Sequence, residues 1–138
     1  MQRSDEFIEE IDSLKELRRV FIEETERMNF LIKECEEALI SLTCGGLNFN
    51  HELYCDGGWG NDKNHWFLSW EYFKKEDGFS LMVVGRITKD SSNNIFSVPL
   101  REMPLGGRVT FSKYLKNFLG SFSENYSSQL IKLFDIKD

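Results

Sequence analysis

The sequence predicts an α+β protein with a long N-terminal helix, a four-stranded antiparallel β-meander and two C-terminal helices packed on the sheet. Two changes of period support this fold class. Apolar residues recur every three to four positions through the first 43 residues, and from residue 47 to about residue 100 they alternate with polar ones. Helical spacing then returns. A chain of 138 residues is long enough for one such domain, in which helices cover one sheet face.

The first segment has the apolar period of one amphipathic helix. Every seventh residue from Phe7 is apolar, and an interleaved series that begins at Ile11 is interrupted at Arg18 and Thr25. We expect one helix over residues 4–43, because glycines follow it and no loop residue or proline lies within it. The alternative is a break near the two interruptions, which would fold the segment into two shorter helices.

A single helix of this length is about 57 Å long, whereas a four-stranded sheet is only about 20 Å across. Part of its apolar stripe must therefore be covered by something other than its own domain. We predict a homodimer or higher oligomer with coiled-coil-like contacts along this stripe. The predicted interface residues are Phe7, Ile11, Leu14, Phe21, Met28 and Ile32. Residues 1–44 are taken as this helix and residues 47–138 as the α+β domain of the same structural unit.

Four strands are expected in the next part of the chain. They are LNFNHELYC at 47–55, HWFLSWEYF at 65–73, FSLMVVGRIT at 79–88 and IFSVPL at 95–100. The second is apolar on both faces, which is typical of a central strand. Gly85 in the third indicates a bulge or the close approach of another group. Pro99 places the fourth strand at a sheet edge, because proline has no N–H to donate.

Two helices are expected after the strands. Apolar residues from Val109 to Leu119 recur at helical spacing and predict a helix over about residues 108–119. Gly120 is expected to end this helix. Ser123 is then expected to cap a last helix that carries Tyr126, Leu130, Ile131 and Phe134 on its apolar face.

Charge and composition exclude several classes of function. The formal net charge is −6, and residues 1–43 hold 12 acidic and six basic side chains, so all of the excess negative charge lies in the first helix. No basic cluster is present, which makes nucleic acid a poor partner. The opening residues lack an apolar signal region, no apolar run is long enough to span a membrane, and three cysteines fit free thiols. We therefore expect a cytoplasmic protein without a membrane partner.

The stretch YCDGGWGNDKNHW, residues 54–66, is the most polar and glycine-rich in the chain and is the first candidate for a site. Counted from Asp56, its oxygen ligands and glycine do not fall at the positions of a calcium loop. No Gly-Lys-Ser/Thr sequence opens a helix there, as a phosphate-binding loop requires. Cys44, His51, Cys55 and His65 lack the short paired spacing of structural zinc sites. A hairpin loop without metal or cofactor is the prediction.

Catalytic residues are equally hard to assign from the sequence. There is no Gly-x-Ser-x-Gly elbow, and neither histidine has an assignable nucleophile. Cys55 stands beside Asp56, and a neighbouring carboxylate raises the pKa of a thiol. Glu52 and Asp56 have the chemistry of an acid–base pair, but solvated carboxylates are far more common. The protein is therefore expected not to be an enzyme and to hold no cofactor.

Binding surfaces remain. Trp59 stands at the tip of the glycine-rich loop, where it faces either a partner or its own sheet, and tryptophan and tyrosine are enriched at interface hot spots. The predicted partner-binding residues are Tyr54, Asp56, Trp59 and Asp62. Possible contacts to an anionic ligand are Trp70, Arg86, Arg101 and Arg108.

The sequence thus favours a non-enzymatic protein-binding module that oligomerises through its N-terminal helix and has another protein as partner. An inhibitor, an immunity protein or a chaperone-like adaptor fits its size and acidity. The alternative is a protein that binds or sequesters a small, nucleotide-like ligand, or an enzyme that acts on one, with its pocket formed by aromatic strand residues and the three arginines.

Overall fold

A computed structural model of the chain describes residues 2–43, 49–60 and 63–134. It confirms the predicted α+β fold. The helices are α1 (Gln2–Thr43), α2 (Leu105–Ser112) and α3 (Leu115–Phe134), and the strands are β1 (His51–Cys55), β2 (His65–Phe73), β3 (Gly78–Arg86) and β4 (Phe96–Pro99). Short 3₁₀ turns follow β2 at Lys74–Glu76 and β4 at Leu100–Glu102.

The four strands form one antiparallel sheet in the order β1-β2-β3-β4. β2 and β3 pair along their full length because both carry runs of apolar and aromatic residues that suit a central strand. β4 lies at an edge, as Pro99 predicts. The CGG sequence at 44–46, expected to stop α1, and residues 47 and 48, expected in β1, lie outside the described residues. Residues 49 and 50, also expected in β1, precede the strand, which begins at His51.

One face of the sheet carries the main core. Leu68, Leu81 and Val83 from the central strands are fully buried there. All three helices contribute to this core, α1 with Ile32 and Leu39 and α3 with a longer series of aromatic and aliphatic residues, namely Leu115, Phe118, Phe122 and Tyr126. The helices therefore cover the same side of the sheet, as the predicted layer arrangement requires.

The opposite face of the sheet is closed by its own side chains. A second cluster is formed by Phe67, Met82 and Val84, with Tyr54 and Phe73 packed against it. The guanidinium of Arg86 lies 4.5 Å from the centroid of the Phe67 ring, and the ammonium of Lys89 lies 4.2 Å from that of Tyr54. Long cationic side chains thus shield apolar surface that no helix covers.

The two expected C-terminal helices are present, but their predicted boundary is wrong. α2 ends at Ser112 and α3 begins at Leu115, so Gly120 lies inside a continuous helix instead of ending one. Phe118 and Phe122, on either side of this glycine, are buried in the core. Burial of this apolar face stabilises the helix by more than one glycine costs, about 1 kcal/mol.

Gly85 provides the close approach that its position in β3 predicts. It pairs with Trp66 of β2, whose indole ring covers the glycine so closely that a Cβ there would lie 2.8 Å from Cζ3. The ring also packs on Phe96 and Phe111. The absence of a side chain at residue 85 is therefore what allows Trp66 to enter the core.

Gly85→Ala is expected to lower the free energy of unfolding by about 2 kcal/mol, because the added methyl group displaces the Trp66 ring from a packed core. Urea unfolding followed by tryptophan fluorescence measures this. Gly78→Ala is the matched control in the same strand, where the nearest atom to a Cβ is 3.9 Å away, and it should cost much less. Equal losses would show that strand glycine, and not the indole contact, is the cause.

Candidate functional site

The principal candidate surface is the apolar stripe on the N-terminal half of α1. Phe7, Leu14 and Phe21 are 67%, 65% and 55% exposed, and α1 is unbroken through Arg18 and Thr25. Leu17, which is also exposed, and Ile11, which is partly buried, flank this line. We call the five apolar residues Phe7, Ile11, Leu14, Leu17 and Phe21 the uncovered stripe.

The uncovered stripe continues directly into the buried face of the same helix. Leu14 and Ile32 are 18 residues apart, which is about five turns, so they lie on one face. The same spacing joins Phe21 to Leu39. Ile32 and Leu39 are buried at 2% and 1% exposure against the sheet and the other helices. The domain thus covers this face only along the second half of α1.

Two residues of the predicted oligomer interface are covered within the chain itself. Ile32 belongs to the main core, so its assignment to an intermolecular surface is corrected, and Met28 packs partly buried against that core. The apolar series that begins at Phe7 runs the full length of α1, whereas the domain contacts only one half of the helix. The sequence pattern alone does not distinguish the two halves, because both need the same apolar period.

Some charged residues in the N-terminal half of α1 lie within the uncovered stripe, and others lie away from it. Arg19 lies away from the uncovered stripe and forms ion pairs with Glu16 and Glu23 in the same helix. Glu10 and Arg18 lie within the stripe, about 40° to either side of Leu14 on a helical projection. Neither forms an ion pair within residues 2–43, 49–60 and 63–134.

The glycine-rich hairpin loop is fixed to the helices. The Trp59 ring packs partly buried against Phe111 of α2, and a Cβ at Gly106 would lie 3.2 Å from its Cη2. The Tyr114 hydroxyl accepts a hydrogen bond from the Gly57 N–H at 2.6 Å and donates one to Asp56. Trp59 therefore packs partly buried on α2 and the main core, and it is not a freely exposed loop tip.

The predicted partner-binding residues do not form one surface. Tyr54 contacts Phe67 and His65 on the outer sheet face, whereas Trp59 packs on α2. Asp56 accepts a hydrogen bond from Tyr114, and Asp62 lies outside the described residues. Positive φ angles of 71° and 65° at Gly58 and Gly60 are the turn geometry that the glycines predict.

Arg101 is held in a cluster of acidic and hydroxyl groups between α1 and the 3₁₀ turns. It donates hydrogen bonds to the Glu36 carboxylate at 3.0 Å, to the Ser80 hydroxyl at 2.8 Å and to the Glu76 carboxylate. Burial raises the pKa of Glu36 above its ordinary value, and the charge of Arg101 opposes that increase. The sequence does not indicate this cluster, because 65 residues separate Arg101 from Glu36.

The other predicted anion contacts are also occupied by the protein. Arg86 forms a bidentate pair with Glu52 at 3.0 and 2.7 Å, and Arg108 donates to the Met103 carbonyl and the Asn29 amide oxygen. Trp70 is fully buried in the core, which corrects its assignment as a ligand contact. Its indole nitrogen has no hydrogen-bond partner among the described residues.

Arg101 and Arg108 line the same groove, which has a volume of about 470 Å³ and runs beside α1. Its walls also carry one lysine and three glutamates, so the formal charges of the groove cancel. The ionic side chains lining it are Lys33, Glu36, Glu37, Glu76, Arg101 and Arg108. A groove with this balance has no net attraction for an anion.

One hydroxyl–histidine pair was not foreseen from the sequence. The hydroxyl of Ser121 in α3 lies 2.7 Å from Nε2 of His51 on β1, and the imidazole packs against Phe118 and Phe122. Burial lowers the pKa of His51, which favours its neutral form. Burial also raises the pKa of the Cys55 thiol to about 12, so this cysteine remains protonated and is a poor nucleophile.

Metal-binding clusters and membrane-spanning helices are both absent from the described residues. Histidine, cysteine, aspartate and glutamate nowhere gather there in a group of three that could hold a metal ion. None of the helices in this part of the chain combines the length and apolar character needed to cross a bilayer. Cys35 and Cys55 are both free thiols.

Trp59→Ala is expected to lower the free energy of unfolding by about 2 kcal/mol, because the indole is partly buried against Phe111 and the α2 glycines. Chemical unfolding measures this loss. Phe30→Ala is the control for an aromatic residue that is 59% exposed, and its effect should be close to zero. Unchanged stability in the Trp59 variant would contradict the packing role.

Arg101→Met is expected to lower the free energy of unfolding at pH 7 by about 2 kcal/mol, less than the loss of a fully buried ion pair, because Arg101 is partly exposed. The cause is a buried Glu36 carboxylate without its counter-charge. Because the pKa of Glu36 is raised in the folded state, stability falls as pH rises from the pKa of Glu36 in the unfolded chain to its pKa in the folded protein. The stability lost in the Arg101 variant should therefore shrink toward pH 4, as Glu36 becomes protonated.

Arg19→Met is the matched control for this pH dependence. Both carboxylates paired with Arg19 are in solvent, so its removal should leave the free energy of unfolding nearly unchanged at either pH. A loss in the Arg101 variant that does not change between pH 4 and pH 7 would assign the effect to packing of the Arg101 stem and not to the charge of Glu36.

Comparison with known proteins does not place the chain in a family. No protein-family model, no curated protein and no solved structure matches it. Its function is therefore inferred from the exposed surfaces and the side-chain chemistry of the chain itself.

Proposed function

We propose that the protein is a non-enzymatic protein-binding module that self-associates through the uncovered stripe of α1. The exposure of Phe7, Leu14 and Phe21 in a continuous line on a helix is the observation that carries this proposal. Contiguous exposed apolar surface marks an interaction site, whereas single exposed apolar residues are normal. The same face is used for packing in the second half of the helix, which supports a packing role for the first half.

A partner protein, and not a small ligand, is favoured by the way the polar groups are used. Arg86 and Arg101 are each paired with carboxylates of the chain, and Arg108 donates hydrogen bonds to the Met103 carbonyl and the Asn29 amide oxygen, so these side chains are already engaged within the protein. Leaving a buried donor or acceptor without its hydrogen-bond partner lowers the stability of a protein by about 1–3 kcal/mol. Protonated Cys55 and the neutral charge balance of the groove support a non-enzymatic role.

The class of protein is inferred from charge and size. An excess of acidic residues on α1 suits the capture of a basic protein surface, as an inhibitor, immunity protein or chaperone-like adaptor would require. We place the protein in the cytoplasm, an assignment supported by the free thiols of Cys35 and Cys55, which fit a reducing compartment. Another protein and a second copy of the chain are its proposed partners.

Leu14→Asp is expected to convert the protein to a monomer, because it places a charge at the centre of the uncovered stripe. Light scattering at micromolar concentration measures the mass of both proteins. Val20→Asp is the matched control, since Val20 is also exposed on α1 but lies about 120° from Leu14. A wild-type protein that is monomeric under these conditions would overturn the proposed self-association.

A further inference from the structure

We infer that two copies of the chain pair through an antiparallel contact of their α1 helices centred on Leu14, an inference that rests on the proposed self-association. Each Leu14 faces Leu14 of the second copy, and Phe7 faces Phe21. In this arrangement, a residue of one copy faces a residue of the other copy when their residue numbers add up to 28. The two residues of such a pair lie at equal angles from the line of contact, one on each side of it.

The position of the domain excludes a parallel pair along the same face. Ile32 and Leu39 bury the stripe face of α1 in the domain from about residue 28 onward. In a parallel, in-register pair, each domain would occupy the space that the second helix needs. In an antiparallel pair, the second half of each helix extends beyond the shared segment, so the two domains lie at opposite ends of the contact.

Charge complementarity also selects the antiparallel direction. Glu10 and Arg18 flank Leu14 within the stripe, four residues to either side, and neither has an ion-pair partner in the described part of its own chain. Antiparallel pairing places Glu10 opposite Arg18 of the second copy, twice in each dimer. A parallel pair would instead place glutamate near glutamate and arginine near arginine.

The domain surface beside the stripe offers a fitting apolar contact. A small recess of about 130 Å³ lies where α1 meets α2, next to the position that faces Phe7 of the second copy. Its lining residues are Phe21, Glu24, Thr25, Met28, Leu105 and Val109. An aromatic ring from the second copy would thus pack both on Phe21 and on the edge of α2, where Val109 is 41% exposed.

A charge-exchange cycle tests the direction of pairing by sedimentation equilibrium of the full chain at low salt. Glu10→Arg and Arg18→Glu are each expected to weaken dimerisation about tenfold or more, since each replaces two attractive contacts by two repulsive ones. The double variant, Glu10→Arg with Arg18→Glu, should restore the dissociation constant to within about threefold, because opposite charges again face each other.

Glu9→Arg is the matched control, because it makes the same change of charge at the adjacent residue, on a face turned away from the stripe. It should leave the dissociation constant close to that of the wild type. Circular dichroism of every variant checks that α1 remains helical.

The outcomes separate the two proposals. If the wild type is a dimer that Leu14→Asp dissociates, but the single charge variants bind as tightly as the wild type, the antiparallel direction is overturned and self-association stands. The same holds if the double variant is no tighter than the single ones. A monomeric wild type would overturn both proposals.

Discussion

Burial of the second half of α1 against the sheet and the other two helices is the constraint on which the molecule depends. Ile32 and Leu39 fill the main core, and Glu36 between them reaches Arg101 across the domain. One face of a long, unbroken helix is thereby anchored over part of its length. The remainder of that face must project, because a helix advances 1.5 Å per residue whether or not a domain lies beneath it.

The charged cluster on Glu36 gives the anchored half a fixed register as well as apolar contact. Two acidic side chains and one hydroxyl surround a single guanidinium, so a shift of α1 by one turn would leave Glu36 buried without a cation. Apolar packing alone distinguishes such shifted arrangements only weakly, whereas an unpaired buried charge is costly. The part of α1 that projects is consequently set by the position of Glu36 as well as by the core.

Periodicity in the sequence was sufficient to predict the fold class, the extent of α1 and the span of β2, because each rests on a local alternation of apolar and polar residues. Periodicity did not predict the junction of α2 and α3. Gly120 resembles a helix stop, but burial of its neighbours Phe118 and Phe122 in the core keeps α3 continuous through it. Contacts such as Arg101 with Glu36 and Ser121 with His51 join residues at least 65 positions apart, and no short-range pattern encodes them.

For the candidate surface, the sequence indicated the stripe but not the point where the domain stops covering it. Phe7 and Ile32 belong to the two interleaved series of one apolar stripe, yet Phe7 is exposed and Ile32 is buried. That distinction depends on where α2 and the sheet lie in three dimensions. The sequence left the orientation of Trp59 open between a partner and the sheet, and it gave no sign of the contact with α2, which lies about 50 residues further along the chain.

Helix α2 has eight residues, two of them the glycines at 106 and 107. Glycine in a helix costs about 1 kcal/mol relative to alanine, and so short a helix is not stable alone. Its backbone is held by the indole of Trp59 on one side and by the burial of Phe111 on the other. The hairpin loop and α2 thus stabilise each other. Local unfolding of either one exposes the backbone amides of both, so these amides should exchange hydrogen with solvent as one cooperative unit.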